Sequence, residues 1–185
     1  GFREYHRQSS AVWERQSLVR ARALVGDPEL AERVEAARNE FVYGRGLNPD
    51  EVAEIAAMRA RMEHEIGVET AVRLNLKQGR GGLVDVEFVA QTMALAHGAR
   101  HRELRIRSTR GLIALSARLS LLRPDEARSL ADGYEFLSRL ENRLRIESDQ
   151  AVWALPTAPE ALKPVAHRMG YTGHDAPQRL LSDLR

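Results

Sequence analysis

Apolar residues recur at helical intervals along nearly the whole chain, and glycine or a polar residue followed by proline marks most of the breaks. A first helix is expected over 5–25, with Ala11, Leu18 and Val25 on one side, Val12 and Val19 beside them, and a stop at Gly26. Asp27-Pro28 then restarts the pattern, aspartate as the cap and proline at the first helical position. Leu30, Val34, Ala37 and Phe41 follow at steps of four, three and four, which predicts one buried stripe ending at Gly44. Asn48-Pro49 repeats the device ahead of a third helix, with Val52, Ile55, Met62 and Ile66 on its buried face and Gly67 after it.

One segment breaks the helical period. Val72, Leu74 and Leu76 alternate with Arg73, Asn75 and Lys77, which reads as extended chain, and Gly79-Arg80-Gly81-Gly82 follows. The helix beginning near Leu83 is apolar almost all round, through Leu83, Val86, Ala90 and Met93 and through Val84, Phe88 and Leu95, as expected for a central buried helix. Ser108 or Thr109 caps a fifth helix carrying Leu112, Leu115, Leu119 and Leu122. Pro124 opens a long sixth, with Ala127, Leu130, Tyr134, Leu137 and Leu144 inward. Residues 151–156 are too short and too proline-bounded for a helix and read as an apolar strap; helices over 162–169 and 177–184 close the chain. The fold class expected is all-α: a helical bundle with one Gly-rich loop preceded by a short extended segment. Its divisions would be a joining helix over 1–26, a bundle core over 27–156, and C-terminal helices of the same domain over 157–185.

Composition sharpens this without changing it. The 185 residues suffice for a real core, and 43% hydrophobic with 29% charged residues is a globular balance. No apolar run approaches the ~20 residues of a spanning helix. The absence of cysteine removes disulfides, thiolate nucleophiles and Cys-ligated metals, and a cytoplasmic location is the default expectation. The net charge is only +2 although the sequence pI is about 9.3, because Lys77 and Lys163 are the only lysines among 28 basic residues and arginine does not deprotonate. These cations are interleaved with acids along the chain, which argues against a nucleic-acid partner. The opening Gly1-Phe2-Arg3, with no initiator methionine or targeting pattern, suggests a segment cut from a longer protein.

The candidate chemistry centres on Lys77, Gly79, Arg80, Gly81 and Gly82. Extended chain, a cationic Gly-rich loop and a helix N-terminus together suit a phosphate group, although the spacing matches neither common nucleotide fingerprint, and a sharp turn needing glycine is the competing reading. Asp85 and Glu87 point ~200° apart on a helix, so sharing one metal is unfavourable; complementing the dipole and pairing with arginine is the simpler role. His97 and His101 have the i,i+4 spacing of a metal face but lack a third ligand, and read as surface histidines. Arg139, Glu141 and Arg143 suggest a structural ion-pair network. Trp13, Glu14, Arg20 and Arg22 lie on a segment basic on one side, either simply exposed or facing a nucleotide or partner.

Several of these segments resemble one family. Trp13-Glu14-Arg15-Gln16-Ser17-Leu18-Val19-Arg20-Ala21-Arg22 is similar to the motif W-E-x-Q-A-L-x-x-A-R, and residues 76–91, from Leu76-Lys77-Gln78-Gly79-Arg80-Gly81-Gly82 through Asp85, Glu87, Phe88 and Gln91, to L-K-x-G-x-G-G-I-x-D-I-E-F-x-x-Q. Phe136-Leu137-Ser138-Arg139-Leu140-Glu141-Asn142-Arg143-Leu144, Asp149-Gln150 and Leu155-Pro156 follow in the same order as that family's later landmarks. The chain thus resembles the glutamine synthetase adenylyltransferase family. The resemblance implies a helical domain that follows a nucleotidyltransferase domain in a bifunctional enzyme, which attaches AMP from ATP to a tyrosine of glutamine synthetase and removes it with phosphate, releasing ADP.

It further implies ATP or ADP and Mg²⁺ in the intact enzyme, none held by this segment alone, and as partners the upstream catalytic domain, glutamine synthetase and a PII signal protein, with no membrane. The family's metal-binding Asp-x-Asp does not occur in this sequence, so the segment alone should be inactive and has no catalytic residue to name. Lys77, Arg80, Gly81 and Gly82 match the family motif and would meet nucleotide or order an interface; Trp13, Glu14, Arg20, Arg22, Asp85 and Glu87 would face the neighbouring domain or a partner. The loop and Met58-Arg59-Ala60-Arg61-Met62 resemble the AMP-attaching half more closely, Leu140-Glu141-Asn142 and Asp149-Gln150 the AMP-removing half, and the balance leans to the former. A non-catalytic docking module for glutamine synthetase or the signal protein is the alternative.

Overall fold

A computed structural model of the chain describes residues 4–6, 10–148 and 153–184; the Asp149-Gln150 landmark and the first two residues of the expected strap lie outside them. Helices dominate, as expected: α1 (Val12–Ser17), α2 (Pro28–Tyr43), α3 (Pro49–Ile66), α4 (Leu83–His97), α5 (Thr109–Arg118), α6 (Pro124–Ser148), α7 (Pro159–Arg168) and α8 (Ala176–Asp183), with strands β1 (Arg73–Asn75) and β2 (Ala154–Pro156). The chain divides into two compact units, one of Gly1–Arg59 and Glu87–Ala131, the other of Ala60–Val86 and Asp132–Arg185. Residues 1–26 fall in the first unit, whereas 27–156 contribute to both.

In the first unit the caps form as the sequence indicates. Asp27 accepts from the Leu30 N–H at 2.9 Å, and Ser108 rather than Thr109 caps α5 by accepting from Gly111 at 3.2 Å. Asn48 and Glu51 build a reciprocal capping box: the Glu51 N–H donates to Asn48 Oδ1 at 2.8 Å and the Asn48 N–H to Glu51 Oε2 at 3.0 Å.

The first helix departs from expectation. Among the described residues of that span, helix covers 4–6 and Val12–Ser17, and past Ser17 the chain turns while arginines elsewhere in the sequence bond its carbonyls. Arg38 donates to Leu18 O at 2.7 Å and Val19 O at 2.8 Å, and Arg107 donates to Ala21 O at 2.8 Å. Val12 and Val19 are buried, but Val25 is 97% exposed. The stripe on α2 is buried only in its later part: Ala37 is covered, whereas Leu30 and Val34 are 54% and 45% exposed. On α3, Ile55 is the buried member of the expected face, and Val52 and Ile66 are exposed.

The second unit is built on a ribbon. The alternating segment forms β1, and the expected strap is its antiparallel partner β2, with Arg73 opposite Pro156, Leu74 opposite Leu155 and Asn75 opposite Ala154. Leu155 is fully buried among Leu76, Leu83, Leu140, Leu162 and Leu180, so ribbon, loop exit, α7 and α8 share one core. The helix expected to be apolar all round, α4, buries Leu83, Val84 and Val86 at its start and Ala90, Ala94 and Leu95 further on.

Candidate functional site

The Gly-rich loop leaves β1 under the control of Asn75. Its Oδ1 accepts from the N–H groups of Lys77 at 3.2 Å and Gln78 at 2.9 Å, its Nδ2 donates to Ile66 O at 3.1 Å, and its own N–H donates to Glu69 Oε1 at 2.8 Å. Gly79 N–H donates to Asn75 O, Gly82 N–H to Gly79 O, and Leu83 N–H to Leu76 O, each at 3.0 Å. The Gly81 N–H donates to Asp85 Oδ2 at 2.6 Å, which places a carboxylate of the first helical turn where an anion would otherwise meet the N-terminus of α4.

Two glycines have specific reasons. Gly81 lies at φ +73°, and a Cβ on Gly82 would stand 2.8–2.9 Å from the carbonyl oxygens of Leu76, Lys77 and Gly79. The N–H groups of Lys77, Gln78, Gly79, Gly81, Gly82 and Leu83 are thus engaged within the segment. Arg80 is exposed, and among the described residues no hydrogen bond or ion pair holds its guanidinium. The Lys77 ammonium lies 4.3 Å from the centroid of the Trp153 ring.

Beside the loop, Gly81, Asp132, Glu135, Phe136, Arg139 and Tyr171 line an open groove of about 650 Å³. Asp183 also borders it and accepts from the Tyr171 hydroxyl; burial, reinforced by that bond, pushes the phenol up to about 12. Three carboxylates against one guanidinium disfavour a phosphate inside this groove.

In the first unit, Arg20 and Glu87 meet at 2.8 Å, which gives Glu87 the arginine partner expected of it. Glu14 accepts from the Ala11 N–H at 3.2 Å and from the Tyr5 hydroxyl at 3.0 Å, serving the start of α1. Trp13 is half exposed and Arg22 exposed. Glu141 accepts from the Trp153 indole N–H at 3.0 Å, a role the expected Arg139–Glu141–Arg143 network did not include.

Burial and, secondarily, the charges of His101 and Arg100 hold His97 below its ordinary range. No group of three or more His, Cys, Asp or Glu that could hold a metal ion occurs among the described residues.

The residues sequence reasoning missed are the clamps. Arg15 is buried and donates to Val42 O at 3.0 Å and Gly46 O at 3.2 Å; burial, then the Arg45 charge, draws its guanidinium down to about 10. Arg38 and Arg105 flank the Tyr43 ring at 5.7 and 5.5 Å. Asn75 sat in a recognised segment without a role, and its place at the end of an extended run before a Gly-rich turn was the available signal.

A family model described as GlnD PII-uridylyltransferase matches residues 52–185. Among curated relatives, the bifunctional glutamine synthetase adenylyltransferase/adenylyl-removing enzyme of Bradyrhizobium diazoefficiens is 37% identical over 93% of this chain, and that of Mycobacterium leprae 36% identical over 98%. The enzyme of the same description from Chromobacterium violaceum is 34% identical over 94%. The chain spans 18–19% of the length of these relatives. The chain therefore belongs to the GlnD PII-uridylyltransferase family, and the relatives it resembles along nearly its whole length are the adenylyltransferases its motifs pointed to.

Proposed function

We propose that this chain is the helical domain of a bifunctional enzyme that adenylylates and deadenylylates glutamine synthetase in the cytoplasm, and that its loop brings Lys77 and Arg80 to the phosphates of an ATP or ADP held by a neighbouring nucleotidyltransferase domain. The observation carrying this reading is a loop whose backbone is fixed by its own hydrogen bonds while its cationic side chains remain available: Arg80 is exposed, and Lys77 rests on an aromatic face rather than on a carboxylate. Gly79, Gly81 and Gly82 give the loop its shape, and Asp85 locks it. The carboxylates that carry Mg²⁺ belong in this reading to the neighbouring domain, and the segment alone is inactive.

The test is nucleotide kinetics of the intact enzyme carrying this segment. Lys77→Ala and Arg80→Ala should each raise the nucleotide KM several-fold with a smaller effect on kcat. Unchanged nucleotide kinetics would overturn the loop's role.

A second reading, a docking module for glutamine synthetase or a PII signal protein, is favoured by the exposed Trp13, Leu30 and Val34 of the first unit. It predicts weakened partner binding in Leu30→Ser and Val34→Ser variants, with nucleotide kinetics intact.

A further inference from the structure

Trp153 and, through it, Glu141 of α6 meet the loop at Lys77. The Leu76 N–H donates to the Trp153 carbonyl at 2.8 Å, extending the β1–β2 ladder by one bond and bringing Trp153 alongside the loop. The Trp153 ring lies under the Lys77 ammonium, and its indole N–H donates to Glu141 in α6. Indole is the strongest aromatic partner for a cation, and a carboxylate at the N–H edge both fixes the ring's rotation and adds negative charge on its side. Asn75 meanwhile fixes the Lys77 backbone. A flexible side chain is therefore set at both ends, its root by Asn75 and its head by Trp153. A cation pre-aimed in this way loses less freedom when it meets an anion than one on a free surface lysine.

We propose that Trp153, oriented by Glu141, is a positioning residue that aims Lys77 at a phosphate group. This rests on the reading of Lys77 as a phosphate ligand and adds what directs it. It also gives a shared purpose to three motifs that are unconnected in the sequence: the L-K-x-G loop, the L-E-N stretch of α6 and the strap.

The test has two readouts: the Lys77 side-chain proton shifts, read on the chain itself, and the binding of inorganic tripolyphosphate, read on the intact enzyme carrying this segment and its variants. Protons on the Lys77 side-chain carbon next to the ammonium should show an upfield ring-current shift, reduced in Trp153→Phe and abolished in Trp153→Leu. Tripolyphosphate binding should weaken about three- to tenfold in Trp153→Leu and less in Trp153→Phe, which keeps an aromatic face. If the shift is absent from the unsubstituted chain, the positioning role is overturned whatever the binding. If the shift is present but Trp153→Leu binds as tightly as the unsubstituted enzyme while Lys77→Met does not, Trp153 contacts Lys77 without aiming it, and the proposal also fails. Binding that is indifferent to Lys77→Met overturns the phosphate reading itself, and the ring-current shift then decides separately whether Trp153 sets Lys77. Should Trp153→Leu not fold, the graded effect in Trp153→Phe and in Glu141→Leu carries both readouts.

Discussion

Arg38 shows how single side chains hold the first unit together. Its guanidinium is buried and reaches two backbone carbonyls twenty and nineteen residues away, Leu18 O and Val19 O, while also meeting Glu35 at 3.2 Å and Asn39 at 2.9 Å. Carbonyls that lose a charged donor inside a fold retain their desolvation cost, so Arg38→Ala should cost about 3 kcal/mol in urea unfolding. Arg38→Lys should recover less than half of that, because one ammonium cannot reproduce the fork of a guanidinium. Full rescue by lysine would mean that charge rather than geometry matters here. These clamps were not legible in the sequence. Asp27, Asn48 and Ser108 could be read as caps because a cap and its target are three residues apart, whereas Arg38 and Arg107 serve carbonyls that no local pattern connects to them. The arginine bias was visible, and its use was not.

At the scale of elements the same distinction holds. The alternation through Leu74 and Leu76 identified an extended segment, yet its partner begins about eighty residues later and is three residues long, too short for its own periodicity to show. The apolar character of the strap was legible, and only pairing made it a strand. Leu155 is fully buried at the centre of this ribbon, so Leu155→Ala should destabilise the second unit by about 2–5 kcal/mol. Slowed hydrogen exchange at the Leu76 and Thr157 amides, which bond to Trp153 O and Val72 O, should be lost in parallel. A cost under about 1 kcal/mol would show that β2 is not seated in the core. The Gly-rich loop was placed correctly between strand and helix, but the choice between a free anion cradle and a self-bonded turn depends on where each N–H points, which composition does not encode. Asp85 illustrates this: a carboxylate in a first helical turn was expected to complement the dipole, and it does so by taking the Gly81 N–H.

On the scale of the whole molecule, each unit contains one tryptophan, Trp13 in the first and Trp153 in the second, so their stabilities can be read separately. The first unit holds two carboxylates below their ordinary range. For Glu35, burial works upward, but the Ala23 N–H and the charges of Arg107 and Arg38 outweigh it. For Glu51, a two-bond pairing with Arg45 at 2.6 and 2.7 Å acts first, burial opposes it, and the Asn48 N–H adds to the lowering. A carboxylate whose folded value is depressed is protonated first in the unfolded chain. Its stabilisation is therefore complete above the ordinary value of 4.5 and disappears as pH falls through the lower folded value. A Trp153→Phe chain, reporting through Trp13, should accordingly lose stability as pH falls below about 4.5, with the slope reduced in Glu35→Gln and again in the double variant with Glu51→Gln. Both substitutions should also lower stability at neutral pH, since they remove the charges that Arg107 and Arg45 meet. Added salt should weaken the contribution of the exposed Arg45 pair more than that of Glu35 beside buried Arg38. An acid limb unchanged by either substitution would mean that other groups set the acid response, and that the arginine-rich carbonyl clamps hold the first unit together without help from these two carboxylates.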